Sequence, residues 1–148
     1  MRFVAAALLI GAMCIPSTRL SAAEPILKVI QETPKWTGNA FIVEDQNDYE
    51  LSITFRFDDG SATPTRVYTN WDNEKRGDGK RSWVKANRVE VREKDLDIII
   101  FRTKPVERTI VYNLKAESNR KLVGTLTGPD RTGTANFTAH ITLSPRTD

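Results

Sequence analysis

One cysteine, one histidine and two methionines among 148 residues leave little for redox, imidazole or metal chemistry. A single histidine without cysteine partners cannot assemble the usual zinc ligand sets. Long apolar runs are also missing. No stretch approaches the roughly 20 apolar residues that a membrane-spanning helix needs, which excludes an integral helical membrane protein. Nor is there a surplus of one charge sign: 22 basic residues stand against 19 acidic ones. General nucleic-acid and anionic-membrane roles need a clear basic excess, so both are excluded as leading readings.

What is present begins with an export signal. Met1-Arg2 is a short positive start, Phe3 to Ile15 is apolar or small, and Ser21-Ala22-Ala23 offers small residues for cleavage before Glu24-Pro25. This pattern predicts a signal peptide over 1–23 and a single all-β domain over 24–148, hence a periplasmic or secreted protein. The competing reading makes Cys14 a lipidated N-terminus, but Met13 stands where lipid attachment wants a small residue. With cleavage after Ala23, the mature chain has 148 less 23, or 125, residues and no cysteine. It then forms no disulfide, and its stability rests on packing and hydrogen bonds. Losing Arg2 and Arg19 takes the net charge from +3 to +1.

Beyond Ile26–Gln31, which reads equally as strand or helical turn, β-prone runs alternate with turn chemistry. They span 41–44, 50–57, 66–71, 83–92, 96–102, 109–115, 121–127 and 135–143. Leu51 to Phe57 and Ala135 to Leu143 alternate apolar and polar residues without error, which gives each strand one dry and one wet face. Ile98-Ile99-Ile100-Phe101 is apolar on both faces and implies a second covered surface, for which the N-terminal segment is the candidate. Short connections favour sequential antiparallel pairing. The expected fold is an eight-stranded antiparallel up-and-down barrel, and a Greek-key β-sandwich is the alternative.

Trp36-Thr37-Gly38 ahead of the first strand, the eight meandering strands, and Leu122-Val123-Gly124-Thr125-Leu126-Thr127-Gly128 near the end resemble the small bacterial lipocalin-like (calycin) barrels. The order of Trp and Gly is reversed relative to the lipocalin signature. The resemblance implies that Trp36 and Gly38 close the barrel floor, and that the cup takes apolar or amphipathic small molecules.

No catalytic or metal constellation is visible, and no cofactor is expected. His140 falls on the polar face of its strand. Asp72 to Gly79 superficially matches a calcium loop, but Arg76 stands where an oxygen ligand belongs and Trp83 occupies the terminal acidic position. Asn136-Phe137-Thr138 matches a glycosylation triplet, but its middle residue belongs to the core row of a strand.

Residues 74–94 carry eight basic against four acidic side chains. The 72–82 loop, between Trp71 and Trp83, is the longest connection. Long loops on rigid scaffolds often carry recognition.

The leading expectation is a non-enzymatic exported protein that holds a small apolar or amphipathic ligand through Trp71, Trp83, Lys85, Asn87 and Tyr112. The other is an envelope protein-interaction module, an inhibitor or adhesion accessory, acting through Lys75, Arg76, Lys80 and Arg81. A drug-sized ligand requires roughly 300 Å³ of concave space, and a cup filled by Phe55, Phe57, Trp71, Tyr112 and Phe137 would leave none. If Trp83, Val89 and Val91 point inward, Lys85 and Asn87 do so as well, unless a bulge between Ala86 and Val89 turns Val84 and Ala86 in instead.

Overall fold

The computed structural model describes residues 25–72 and 82–148. Among them a short helix, α1 (Ile26–Glu32), precedes β1 (Lys35–Ile42), β2 (Asn47–Arg56), β3 (Arg66–Trp71), β4 (Val84–Lys85), β5 (Arg88–Val91), β6 (Asp95–Arg102), β7 (Arg108–Ser118), β8 (Lys121–Pro129) and β9 (Asn136–Pro145). These described strands form one sheet in the order β4-β3-β2-β1-β9-β8-β7-β6-β5. Every pairing is antiparallel. The topology is an up-and-down meander whose last strand returns to its first, with Trp36 opposite Pro145 and Ile42 opposite Ala139. The sheet curls into a half-barrel around one core.

The expected eight strands become nine, and the barrel is not fully closed, for one local reason. The stretch from Trp83 to Arg92 is two strands rather than one. Lys85 and Val84 pair with Tyr68 and Thr69 of β3, whereas Arg88 to Val91 pair with Ile99 to Leu96 of β6. Between them the Ala86 N–H donates to the Val67 carbonyl at 2.8 Å and the Asn87 N–H to the Ile99 carbonyl at 2.9 Å. One ribbon thus hands its bonding from one sheet edge to the other. Val84, Ala86, Val89 and Val91 all pack against the core, so the inward parity shifts between Ala86 and Val89. Lys85 is left exposed. The alternative would put an ammonium in the core without a partner, at a cost of several kcal/mol.

The undecided N-terminal segment is helical. Seven residues are too few to hold a helix in water unaided, so packing stabilises it. Ile26, Val29 and Ile30, spaced to share one face, are 0, 1 and 0 % exposed. Each such burial contributes about 1.5–3 kcal/mol. These side chains join the core that contains Trp36, Leu114 and Leu122. They do not cover the outer face of β6, where Ile99 is buried apart from that core and Phe101 stays 52 % exposed.

β1 begins earlier than expected, at Lys35 instead of Phe41. Its inward row is Trp36, Gly38, Ala40 and Ile42, and two small residues in the middle hide the alternation. Among the described residues, no helix is long and apolar enough to cross a membrane.

Candidate functional site

The strand register places Ile42, Trp71, Arg108 and Phe137 at one end of the half-barrel, beside the turn at 43–46 and the loops at 103–107 and 130–135. Here a cleft of about 320 Å³ opens, with Ile42, Trp71 and Phe137 as its apolar lining and Arg108 and Arg131 among its polar groups. Trp71 is 3 % exposed. Its ring stacks on Phe137 with centroids 5.6 Å apart and meets Tyr49 edge-on at 6.2 Å, the arrangements that aromatic quadrupoles favour. The indole Nε1–H is buried and has no acceptor. A buried donor without a partner costs about 1–3 kcal/mol.

The acidic groups of the rim are already committed to the scaffold. Glu44 accepts the Thr138 N–H through both oxygens, at 3.0 and 3.1 Å. Asp45 accepts the Asn47 N–H at 3.0 Å and the Tyr49 hydroxyl at 2.8 Å. That hydroxyl bond raises the Tyr49 pKa above its ordinary value. Asp130 holds its own loop by accepting from the Thr132 N–H and hydroxyl and from the Thr134 N–H, and the Thr132 hydroxyl bond leads in lowering its pKa.

Below this cleft the half-barrel is filled. Phe55, Tyr112 and Phe137 are 1, 2 and 8 % exposed, and Phe57 packs on the core margin. The space between Thr69, Trp71, Ile100, Ile110 and Tyr112 amounts to about 10 Å³, too little for any organic ligand. A deep cup is therefore absent from the described part of the molecule, and the mouth is what remains.

The residues singled out from sequence do not converge. Trp71 and Tyr112 meet in the interior. Trp83 is 45 % exposed on the outer wall. Lys85 and Asn87 are exposed, and the Asn87 carboxamide oxygen accepts the Phe101 N–H at 2.7 Å, which secures the seam between β5 and β6. Lys75, Arg76, Lys80 and Arg81 lie outside the described residues, as do residues 1–23, expected to form a signal peptide, and most of the calcium-like stretch. His140 is exposed. Tyr49 and Ile42 were missed at the mouth, although Tyr49 extends the inward row of Leu51, Ile53 and Phe55 by one step of two.

One carboxylate pair invites a test for acid-base chemistry. Asp95 and Asp97 lie on the outer face of β6, where Arg92 bonds Asp95 at 2.7 and 3.1 Å and Asp97 at 3.0 Å. The Asn113 amide donates to Asp95 at 2.9 Å and to Asp97 at 2.8 Å. Arg92 is the main reason that the Asp95 pKa falls to about 2, and it also lowers that of Asp97. Both stay ionised, whereas a general acid near neutrality needs a raised pKa.

Because their pKa values are lower in the folded chain than the ordinary value of about 4, the pair stabilises the fold above that pH. The contribution is lost as pH falls from about 4 toward 2. Arg92→Met is expected to lower stability at pH 7 and to flatten the acid limb of a urea-midpoint profile between pH 4 and 2. An unchanged profile would remove the network from the account.

Among the described residues, no group of three or more His, Cys, Asp or Glu side chains is placed to hold a metal. No family model matches the chain, and no curated protein matches it.

Proposed function

We propose that this is an exported, non-enzymatic binding protein of lipocalin-like architecture that takes a small amphipathic ligand at the mouth of its half-barrel. The observation that carries this reading is the buried Trp71 indole N–H, which lacks an acceptor on the floor of a cleft of about 320 Å³. The cleft has the size that small-molecule sites share, with an apolar patch of Ile42, Trp71 and Phe137 inside a charged rim. A ligand suited to it has a flat apolar body that lies against Trp71 and Phe137. It also has an acceptor for the indole N–H and a polar end that faces Arg131, beside the carboxylates of Glu44, Asp45 and Asp130. The alternating dry rows and the floor residue Trp36, 0 % exposed, agree with the lipocalin-like resemblance.

The test uses 8-anilinonaphthalene-1-sulfonate, an aromatic amphipath with an anionic end, as the probe. Trp71→Phe keeps one aromatic ring and removes the donor together with the pyrrole ring, so the probe's affinity is expected to fall at least about tenfold, the worth of one hydrogen bond to a charged acceptor. Native mass spectrometry of protein purified from its own envelope should show a retained small molecule that Trp71→Phe loses. An unmodified protein that neither binds the probe nor retains a molecule contradicts the reading, as does a Trp71→Phe variant with full affinity.

A further inference from the structure

A second cleft, of about 420 Å³, lies on the outer wall at the opposite end from the mouth, and the interior core takes no part in it. Its lining includes Lys35, Arg56, Arg66, Tyr68, Trp83 and Arg146. The alternation of β2 and β3 puts Arg56, Arg66 and Tyr68 on the wet face, because Phe55 and Val67 are buried at 1 % exposure. Cross-strand pairing sets Arg56 opposite Arg66 and Tyr68 opposite Thr54. Like charges that face each other across a ladder destabilise it unless something offsets them.

The offset is partial. Asp58 accepts from Arg66 at 2.9 Å, and Asp148 accepts from Arg146 at 2.8 Å and also from Lys35. Four cations therefore share two carboxylates, which leaves two positive charges in the cleft. Two of the guanidinium groups stand over aromatic faces, Arg56 over Tyr68 and Arg146 over Trp83, each at 6.0 Å from the ring centroid. Trp83 itself is 45 % exposed. A large aromatic held open to water in a cleft that also holds the Arg56 guanidinium, without a carboxylate partner among the described residues, is costly for folding alone, and it is the pairing of groups that ligand sites use.

We infer that this outer cleft binds an acidic oligosaccharide of one or two sugar units, with a carboxylate or sulfate on the sugar. The apolar C–H face of a pyranose ring covers the Trp83 indole, and the anionic substituents bridge the guanidinium groups in the bidentate geometry that arginine offers to planar anions. The volume suits a mono- or disaccharide. The near-balanced charge of the chain as a whole favours this over a long nucleic-acid strand, which needs an extended basic track. The site is separate from the mouth, so its fate does not depend on the ligand proposed there.

The experiment is calorimetric titration of the full mature chain with digalacturonate, against neutral maltose and a single-stranded oligonucleotide. Digalacturonate is expected to bind with an affinity that Arg56→Gln reduces about tenfold, the loss expected for one charged contact, and that Trp83→Ala reduces by about the same factor through the lost ring face. Maltose and the oligonucleotide are expected to bind at least about tenfold more weakly than digalacturonate. Both residues are exposed and outside the core, so the urea midpoint of each variant should be no lower than that of the unmodified protein, and Trp71→Phe should leave this titration unchanged. No binding of digalacturonate, binding insensitive to Trp83→Ala, or an oligonucleotide that binds as tightly would each overturn the inference.

Discussion

Gly124→Ala is expected to cost at least about 3 kcal/mol, the upper end of the usual range for overpacked sites. A Cβ built at Gly124 would lie 1.8 Å from the Asn113 carbonyl oxygen and 2.9 Å from its carbonyl carbon. Those are backbone atoms of the neighbouring β7, so no side-chain rotation relieves the overlap. Relief requires β7 and β8 to separate where Asn113 pairs with Thr125 and Leu114 with Gly124. That pairing lies in the middle of the sheet, between the return strand β9 and the seam strands β5 and β6. Gly38 is a second such place, because its Cβ would meet the Thr142 carbonyl oxygen at 2.1 Å where β1 joins β9.

Against a total stability of about 5–15 kcal/mol, either substitution removes a large part. A urea denaturation series should show a lowered midpoint with Gly124→Ala. An exposed control such as Thr142→Ala, on the outer face of β9, should move the midpoint by no more than about 0.5 kcal/mol. A Gly124→Ala midpoint equal to that of the unmodified protein would mean that the strands are not packed this closely.

These two glycines mark the boundary of what the amino-acid sequence discloses. Where alternation is unbroken, as in Leu51 to Phe57 and Ala135 to Leu143, the strands are legible, and Leu51, Ile53, Phe55, Phe137, Ala139, Ile141 and Leu143 are buried as expected, whereas Ser52 is buried too, Ala135 is exposed and Phe57 lies beyond the end of β2. Where an inward position is filled by backbone proximity instead of a large side chain, the row falls silent. The start of β1 is hidden for that reason, since Gly38 and Ala40 interrupt its apolar row. The strand from Trp83 to Arg92 was split by something that no local pattern carries. Its two halves bond to different neighbours, Val67 and Ile99, which are 32 residues apart in the chain.

Sites fared worse than strands. Trp71 was found because aromatic residues that flank a long loop are conspicuous. Its partners Tyr49 and Phe137 come from other strands and are joined to it only by register. The outer cleft was invisible for the same reason. Arg56, Tyr68 and Arg146 read singly as solvated surface, and only the β2–β3 pairing and the return of the chain after β9 bring them within reach of Trp83.

Trp36→Ala is expected to be as damaging as the glycine substitution, by a different route. Trp36 is 0 % exposed and is the bulkiest fully buried side chain among the described residues. Removing so large a ring from a core costs about 3–5 kcal/mol, through lost transfer energy and the cavity left behind. The indole also does local work. Its N–H donates to the Thr33 carbonyl at 2.6 Å, and Thr33 is the C-terminal cap of α1, whose own N–H bonds the Val29 carbonyl at 3.0 Å. Helix ends leave carbonyls that need such partners, and a helix of seven residues has little margin without them. Trp36→Phe separates the two contributions, because it keeps most of the ring and orphans the Thr33 oxygen, at about 1–3 kcal/mol.

Hydrogen exchange should then show Trp36→Phe loosening the α1 amides while the amides of β7 to β9 keep their protection. Trp36→Ala should lower protection throughout. A double-mutant cycle of Trp36→Phe with Ile30→Ala should give a coupling of about 0.5 kcal/mol or more, as expected for residues that stabilise one element together. Additive effects would show that α1 is held by its own apolar face alone, and that the tryptophan fills the core without anchoring the helix.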